Sequence, residues 1–209
     1  MPPMSGDPSD AELLQAWGEG ERRAGATLLR RHFAPLHRFF ANKVGASAEV
    51  EDLVQQTLMA CVHGRDRYRG DASFRTFLFA IARNTLLKHL RDRKRDAPLD
   101  VEGDSLADLG LGVSTILDLR REQQLLLTGL RHISLDSQIV LELYYWEQLS
   151  ATQIAEVLET SEAAIRGRLR KAKLELRGAL EHLARDPNEL ASTADGLERW
   201  AASLRAQWA

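Results

Sequence analysis

Side chains able to do chemistry gather in two basic stretches of this 209-residue chain, and the chemistry they suit is the binding of phosphate backbones. Residues 83–95 carry Arg83, Lys88, Arg91, Arg93, Lys94 and Arg95 against Asp92 alone. Residues 161–177 carry Arg166, Arg168, Arg170, Lys171, Lys173 and Arg177 against Glu162 and Glu175. A single run of this kind is commonly a solvated helix face, but two, each ending its own segment, point to nucleic acid. Beside the first run, Arg65, Arg67, Tyr68, Arg69 and Asp71 set guanidiniums and one aromatic ring on a loop. Single-stranded DNA calls for that mixture, because bases stack on rings while cations follow the backbone. Catalytic patterns are missing: His32, His37, His63, His89, His132 and His182 are scattered without a nucleophile near them, and there is no glycine-rich phosphate loop. Cys61 is the only cysteine, which excludes an internal disulfide and a structural zinc site, and it reads as an inert packed thiol. No catalytic residue, metal or cofactor is expected.

The elements that hold these groups read as helices throughout. Apolar residues recur at three and four with almost no alternation at two. With 44% hydrophobic and 28% charged residues the chain has ordinary globular composition, and nothing in it has the pattern of a signal peptide or a run long enough to span a membrane. A cytoplasmic protein without membrane insertion is expected. The net charge of −2 hides the local basic faces, which are what a phosphate backbone meets. The fold class expected is all-α: two small helical domains joined by an acidic linker, with a C-terminal amphipathic helix. Residues 1–10 read as a disordered tail and 11–95 as the first domain, with helices over about 11–17, 22–44, 48–64 and 73–94. Residues 96–113 read as the linker, rich in Asp, Glu and Gly and free of Lys and Arg up to Gly112. The second domain is 114–183 and the extension 184–209.

Two motifs stand on this frame. In the second domain Ser150 and Gln153 form a capping box, Ile154, Ala155 and Leu158 make an apolar stripe, and Ser161 is placed to cap a following helix. On that helix Ile165, Leu169, Ala172 and Leu176 share one face, and Arg166, Arg170, Lys173 and Arg177 form a stripe about a quarter-turn away. This is helix-turn-helix patterning, whose second helix enters a major groove, although an ordinary helical hairpin has the same pattern. In the first domain Leu53, Leu58 and Val62 read as core, with Asp52, Gln55 and Gln56 outward. Phe74, Phe77, Leu78, Ile81, Ala82 and Thr85 read as core of the next helix, with Arg83, Asn84, Lys88 and Arg91 leading to its basic end.

Residues His132-Ile133-Ser134-Leu135 through Ala172 resemble region 4 of bacterial extracytoplasmic-function (ECF) sigma factors, matching at Ile154, Ala155, Leu158, Ser161, Ile165, Arg168 and Ala172. Glu159 and Ala163 stand where that family usually has glycine, Thr160 where it prefers an aliphatic residue and Ala164 where it prefers threonine. A left-handed non-glycine costs about 1 kcal/mol or more, so a reshaped turn is expected at Glu159. Residues Ala48-Glu49-Val50-Glu51-Asp52-Leu53-Val54-Gln55-Gln56-Thr57-Leu58 resemble region 2.2, and Phe74-Arg75-Thr76-Phe77-Leu78 through Arg83-Asn84 resemble regions 2.3 and 2.4. The likeness spans about 12–180.

The resemblance implies a sigma factor that binds core RNA polymerase and directs promoter-specific initiation. It assigns polymerase binding to Asp52, Gln55 and Gln56, which would meet the beta-prime clamp helices, with the beta flap as a further contact. On the residues alone the simpler reading of Asp52, stabilisation of the helix dipole, is favoured. Minus-thirty-five DNA would be met by Ser161, Glu162, Arg166, Gly167, Arg170, Lys171 and Lys173. The minus-ten strand would be met by Arg67, Tyr68, Arg69, Asp71, Arg83, Asn84, Lys88 and Arg91. An anti-sigma factor is a further partner the resemblance allows. The competing reading is a one-component helix-turn-helix regulator. Beyond the resemblance, Leu197, Trp200, Leu204 and Trp208 would share one stripe of a terminal helix.

Overall fold

Serine hydroxyls set where five of the helices begin. Ser9, Ser73, Ser134, Ser150 and Ser161 each accept from the backbone amide three residues on, one of the donors that a helix start leaves without an internal partner. At Ser9 and Ser150 the third residue, Glu12 or Gln153, closes a reciprocal capping box. These helices belong to a computed structural model that describes residues 7–44, 47–65, 68, 73–94, 98–109 and 121–184. The first unit comprises α1 (Asp10–Gly18), α2 (Arg22–Arg31), α3 (Phe33–Ala41), α4 (Ser47–Gly64) and α5 (Phe74–Arg93). The second comprises α6 (Arg121–Arg131), α7 (Leu135–Tyr145), α8 (Ala151–Val157) and α9 (Glu162–Leu183). The described residues form no β-sheet; Ser105 and Ser134 make an isolated bridge.

Three expectations need correction here. The single helix expected over 22–44 breaks at His32, whose ψ of 3° leaves the helical region. Pro35 explains the break: it has no amide to donate to the Arg31 carbonyl and its ring crowds that carbonyl, so the chain restarts with the proline in a first turn, where it is tolerated. Ser9 and Asp10, expected in a loose tail, are tied down. Arg31 donates to Asp10 at 2.6 Å and to the Pro8 carbonyl at 2.9 Å, and His32 Nε2 lies 2.6 Å from the other Asp10 oxygen. Val62, expected in the core, is 41% exposed.

Leu28, Leu36, Phe39, Phe40, Leu53, Leu78, Phe79, Leu86 and Leu90 fill the first unit, each essentially buried. Phe39 meets Phe40 and Phe79 edge-on at centroid distances of 5.3 and 5.6 Å. Each such side chain contributes about 1.5–3 kcal/mol through burial. Cys61 is buried with them, and burial pushes its thiol up to about 12, which keeps it protonated and inert. A separate cluster of Leu125, Leu126, Leu130, Leu141, Trp146, Ala172, Leu176 and Leu180 holds α6, α7 and α9 together.

The two units also share a core. Leu135, Ile139, Val140, Leu143, Ile154, Val157, Leu158 and Ile165 of the second unit belong to the same buried cluster as the first unit's leucines and phenylalanines, and α5 packs against α8. Residues 98–109, expected as part of the acidic linker, fold against this assembly. Leu106 is completely buried, Leu135 donates to the Asp104 carbonyl and Asp136 to the Val101 carbonyl, each at 2.9 Å, and Lys94 pairs with Asp104. The acids supply the turns, Asp100 accepting from the Glu102 amide and Asp108 from Ser105, while Leu99, Val101, Leu106 and Leu109 supply the packing.

Candidate nucleic-acid interface

The second helix of the helix-turn-helix, α9, is anchored at its N-terminus. Ser161 caps it, and Glu162 accepts from Thr152 of α8 at 2.9 Å, which ties the two helices together. Arg166 donates to the same carboxylate through Nε at 3.1 Å, and these two hydrogen bonds hold Glu162 below the ordinary glutamate range, Arg166 contributing more. Between the helices Glu159 takes φ 52, so the expected reshaping does not occur: the turn keeps a left-handed residue without glycine.

Along α9 the buried positions are Ile165, Ala172, Leu176 and Leu180. Arg166, Arg170, Lys171, Lys173 and Arg177 are all exposed, and Gly167 lies among them with open space where a Cβ would stand. Lys171 reaches Glu175 at 3.5 Å and Lys173 lies 5.4 Å from the Tyr145 ring centroid, so both retain cationic heads at the surface. Arg168, part of the same basic run, turns inward instead and donates to Asp136 of α7 at 3.0 Å. The stripe offers several cations and a bare backbone patch on one exposed helix face, the chemistry a duplex requires.

In the first unit Asn84, Lys88 and Arg91 are exposed along α5, as the spacing predicts. Arg83 is not with them. It is half-buried, its Nε has no hydrogen-bond partner among the described residues, and burial lowers its pKa against the pull of nearby Asp136. Tyr68 is half-buried with its ring 5.1 Å from that of Phe77. Arg67, Arg69 and Asp71 lie outside the described residues.

Asp52, Gln55 and Gln56 are exposed on α4. Sequence reasoning missed that Met59, 50% exposed, and Val62 continue their face at steps of four and three. The spacing was available, but apolar residues were assigned to the core. It also missed the acids of α7 and its end: Glu142 and Glu147 are each 2% exposed and pair with Lys43, Arg38 and Arg75 of the first unit. Among the described residues no group of His, Cys, Asp or Glu is placed to hold a metal, and no helix is long and apolar enough to cross a membrane.

Residues 28–96 match the Sigma-70 region 2 family and residues 123–176 the Sigma-70 region 4 family. The chain is similar to the ECF RNA polymerase sigma factor SigM of Mycobacterium tuberculosis, 28% identical over 177 residues that cover 84% of this chain and 86% of the relative. It is 25% identical to the RNA polymerase sigma-H factor of Pseudomonas aeruginosa, over 85% of this chain and 96% of that one. Its fold is like that of CnrH in complex with the cytosolic domain of CnrY, with a TM-score of 0.57 at 24% identity over 84% of this chain and 99% of that one. It is also like that of the sigma factor RpoE in complex with the anti-sigma factor NepR from Bartonella quintana, with a TM-score of 0.55 at 21% identity over 71% and 92%. Both regions occur in order and the relatives run through most of both chains: this protein belongs to the ECF sigma factors, which bind core RNA polymerase and direct it to promoter DNA.

Proposed function

We propose that α9 reads the minus-thirty-five element and that the loop around Tyr68 together with α5 holds the minus-ten strand. The exposed stripe of Arg166, Arg170 and Lys173 on a serine-capped second helix carries this reading. Ser161, Glu162 and Gly167 lie at the end that meets base edges, and Lys171 and Lys173 would hold phosphates. On the other element, Asn84, Lys88 and Arg91 follow the strand, with Arg67, Tyr68, Arg69 and Asp71 capturing an unstacked base and Arg83 joining them once uncovered. Extrusion of that base costs a few kcal/mol, which a shaped pocket offsets.

Asp52, Gln55 and Gln56 bind the beta-prime clamp helices in this reading, and the second unit meets the beta flap. The working divisions are 11–95, 96–113 and 114–183, flanked by a tail and by the extension 184–209. The protein is itself non-catalytic and cytoplasmic, chemistry being left to the polymerase, and the acidic 96–113 segment lies in a nucleic-acid channel during initiation. A similar fold seen with the anti-sigma factor NepR supports a partner of that class here.

Substituting Arg166→Ala and Arg170→Ala tests the assignment of α9. Loss of a phosphate contact should weaken binding on every sequence and flatten the salt slope by about one unit, whereas loss of a base contact should relax preference at one position by about 1–3 kcal/mol. Unchanged promoter affinity in both variants, measured on the holoenzyme by fluorescence anisotropy, would remove α9 as the reader.

A further inference from the structure

α1 precedes region 2, which begins at residue 28, yet it is tied to the first unit at both of its ends. At its start Asp10 accepts from Arg31 at 2.6 Å and lies 2.6 Å from His32 Nε2. Near its end the Trp17 indole is buried against the backbone of α2 at Gly25, where a Cβ would stand only 2.6 Å from the ring. Only a residue without a side chain leaves room for that approach, so Trp17 and Gly25 together set how α1 lies on α2.

The same indole meets the loop assigned to the minus-ten strand. The guanidinium carbon of Arg65 lies 5.5 Å from the Trp17 ring centroid. Arg65 follows the last residue of α4, and its carbonyl accepts from the Tyr68 amide at 3.0 Å. The Tyr68 ring rests 5.1 Å from Phe77 of α5, Phe77 lies 6.5 Å from Phe74, and Phe74 lies 5.3 Å from the His32 ring that Asp10 engages. The two ends of α1 therefore reach Tyr68 from two directions, through Arg65 and through the aromatic row behind it.

A buried tryptophan against a glycine is an ordinary packing device, but packing alone calls for no cation on the ring. A guanidinium within about 6 Å of an indole centroid is drawn by the negative ring face, and a planar guanidinium stacks there while keeping its donors. The contact also falls three residues before the tyrosine whose ring would stack on a base. Fixing the Arg65 backbone in the free protein removes an ordering cost that would otherwise be met on binding.

We propose that Trp17 is a positioning residue for minus-ten recognition: by holding the Arg65 guanidinium it fixes the backbone that presents Tyr68 to an unstacked base. The inference rests on the assignment of Tyr68 and α5 to that strand. Trp17 itself touches no DNA and acts through Arg65.

Anisotropy titration of the holoenzyme tests this, using a promoter that gives a discrete run-off transcript with this chain. One probe is a fluorescein-labelled single strand with the minus-ten sequence of that promoter, and the other a duplex with its minus-thirty-five element alone. Trp17→Leu keeps apolar bulk without a ring, and Arg65→Met keeps the stem without the guanidinium. Each should weaken the single strand several-fold and leave duplex affinity and polymerase association unchanged. The double variant should be no weaker than either single one, because both remove one contact. Trp17→Phe should recover most of the loss, and Trp17→Leu should keep the wild-type salt slope, since no phosphate contact goes with it. Tyr68→Ala separates the inference from the reading beneath it. If Tyr68→Ala loses the single strand while Trp17→Leu and Arg65→Met bind it normally, the positioning role is overturned and the minus-ten assignment stands. Additive losses, with a flatter slope in Arg65→Met, would make Arg65 a phosphate contact and overturn it equally. Normal binding by Tyr68→Ala would remove the assignment itself and the role of Trp17 with it. Should Trp17→Leu unfold, Arg65→Met decides alone: its loss on the single strand must come with the wild-type salt slope and intact duplex and polymerase binding.

Discussion

Glu159 holds the helix-turn-helix together at a backbone conformation that its side chain opposes, with φ 52. Glycine there would remove the crowding of Cβ against the following carbonyl. Glu159→Gly is therefore expected to raise stability by about 1 kcal/mol, read as a higher urea midpoint at unchanged slope; a lower midpoint would mean that the exposed side chain contributes more than the strain removes. The glycine that the family usually has at this place marks the turn, and the cost of a left-handed non-glycine leads to the expectation of a reshaped one. Retention of the left-handed conformation by glutamate was not legible, since strain at one residue is decided by how firmly Ile154, Leu158 and Ile165 fix the helices on either side. The same limit applies to Arg83. Its place in a basic run predicted exposure with Asn84 and Lys88, and the packing of a second unit against α5 decided otherwise.

At the scale of the element, the faces of α4, α5 and α9 were legible, because polar and apolar residues separate at helical spacing. The exposed face of α4 runs from Asp52 through Gln55 and Gln56 to Met59 and Val62, an acid and amides followed by an apolar end. Reversal of charge on such a face acts on binding rather than folding. Asp52→Arg is expected to abolish association with core polymerase in gel filtration while leaving the circular dichroism melt unchanged. Retained association would move the polymerase contact off this face. What spacing did not give was the break at His32, which depends on Pro35 being read as a first-turn residue, and the packing of 98–109, where four apolar side chains are hidden in an acidic composition.

For the whole molecule, two regions in order defined the family from local motifs, but their closure on each other left no local trace. Lys43 and Glu142 are 99 residues apart and each reads in isolation as an ordinary surface charge. The extension beyond Pro187 lies outside the described residues, and its Trp200 and Trp208 stripe carries a separate expectation. Truncation after Pro187 should lower the melting temperature without raising transcription if that stripe packs on region 4 as a structural helix. A stable, more active truncated protein would show an inhibitory tail, and no change in either would mean that it docks nowhere. The central claim is that this chain selects promoters for core polymerase through α5 and α9. Run-off transcription with purified core polymerase, across genomic promoters including the one upstream of its own gene, tests it most directly. The account predicts discrete start sites that require this chain and weaken with Arg166→Ala and Arg170→Ala. Sequence-specific DNA binding without polymerase association or any discrete transcript would contradict it and favour a one-component regulator.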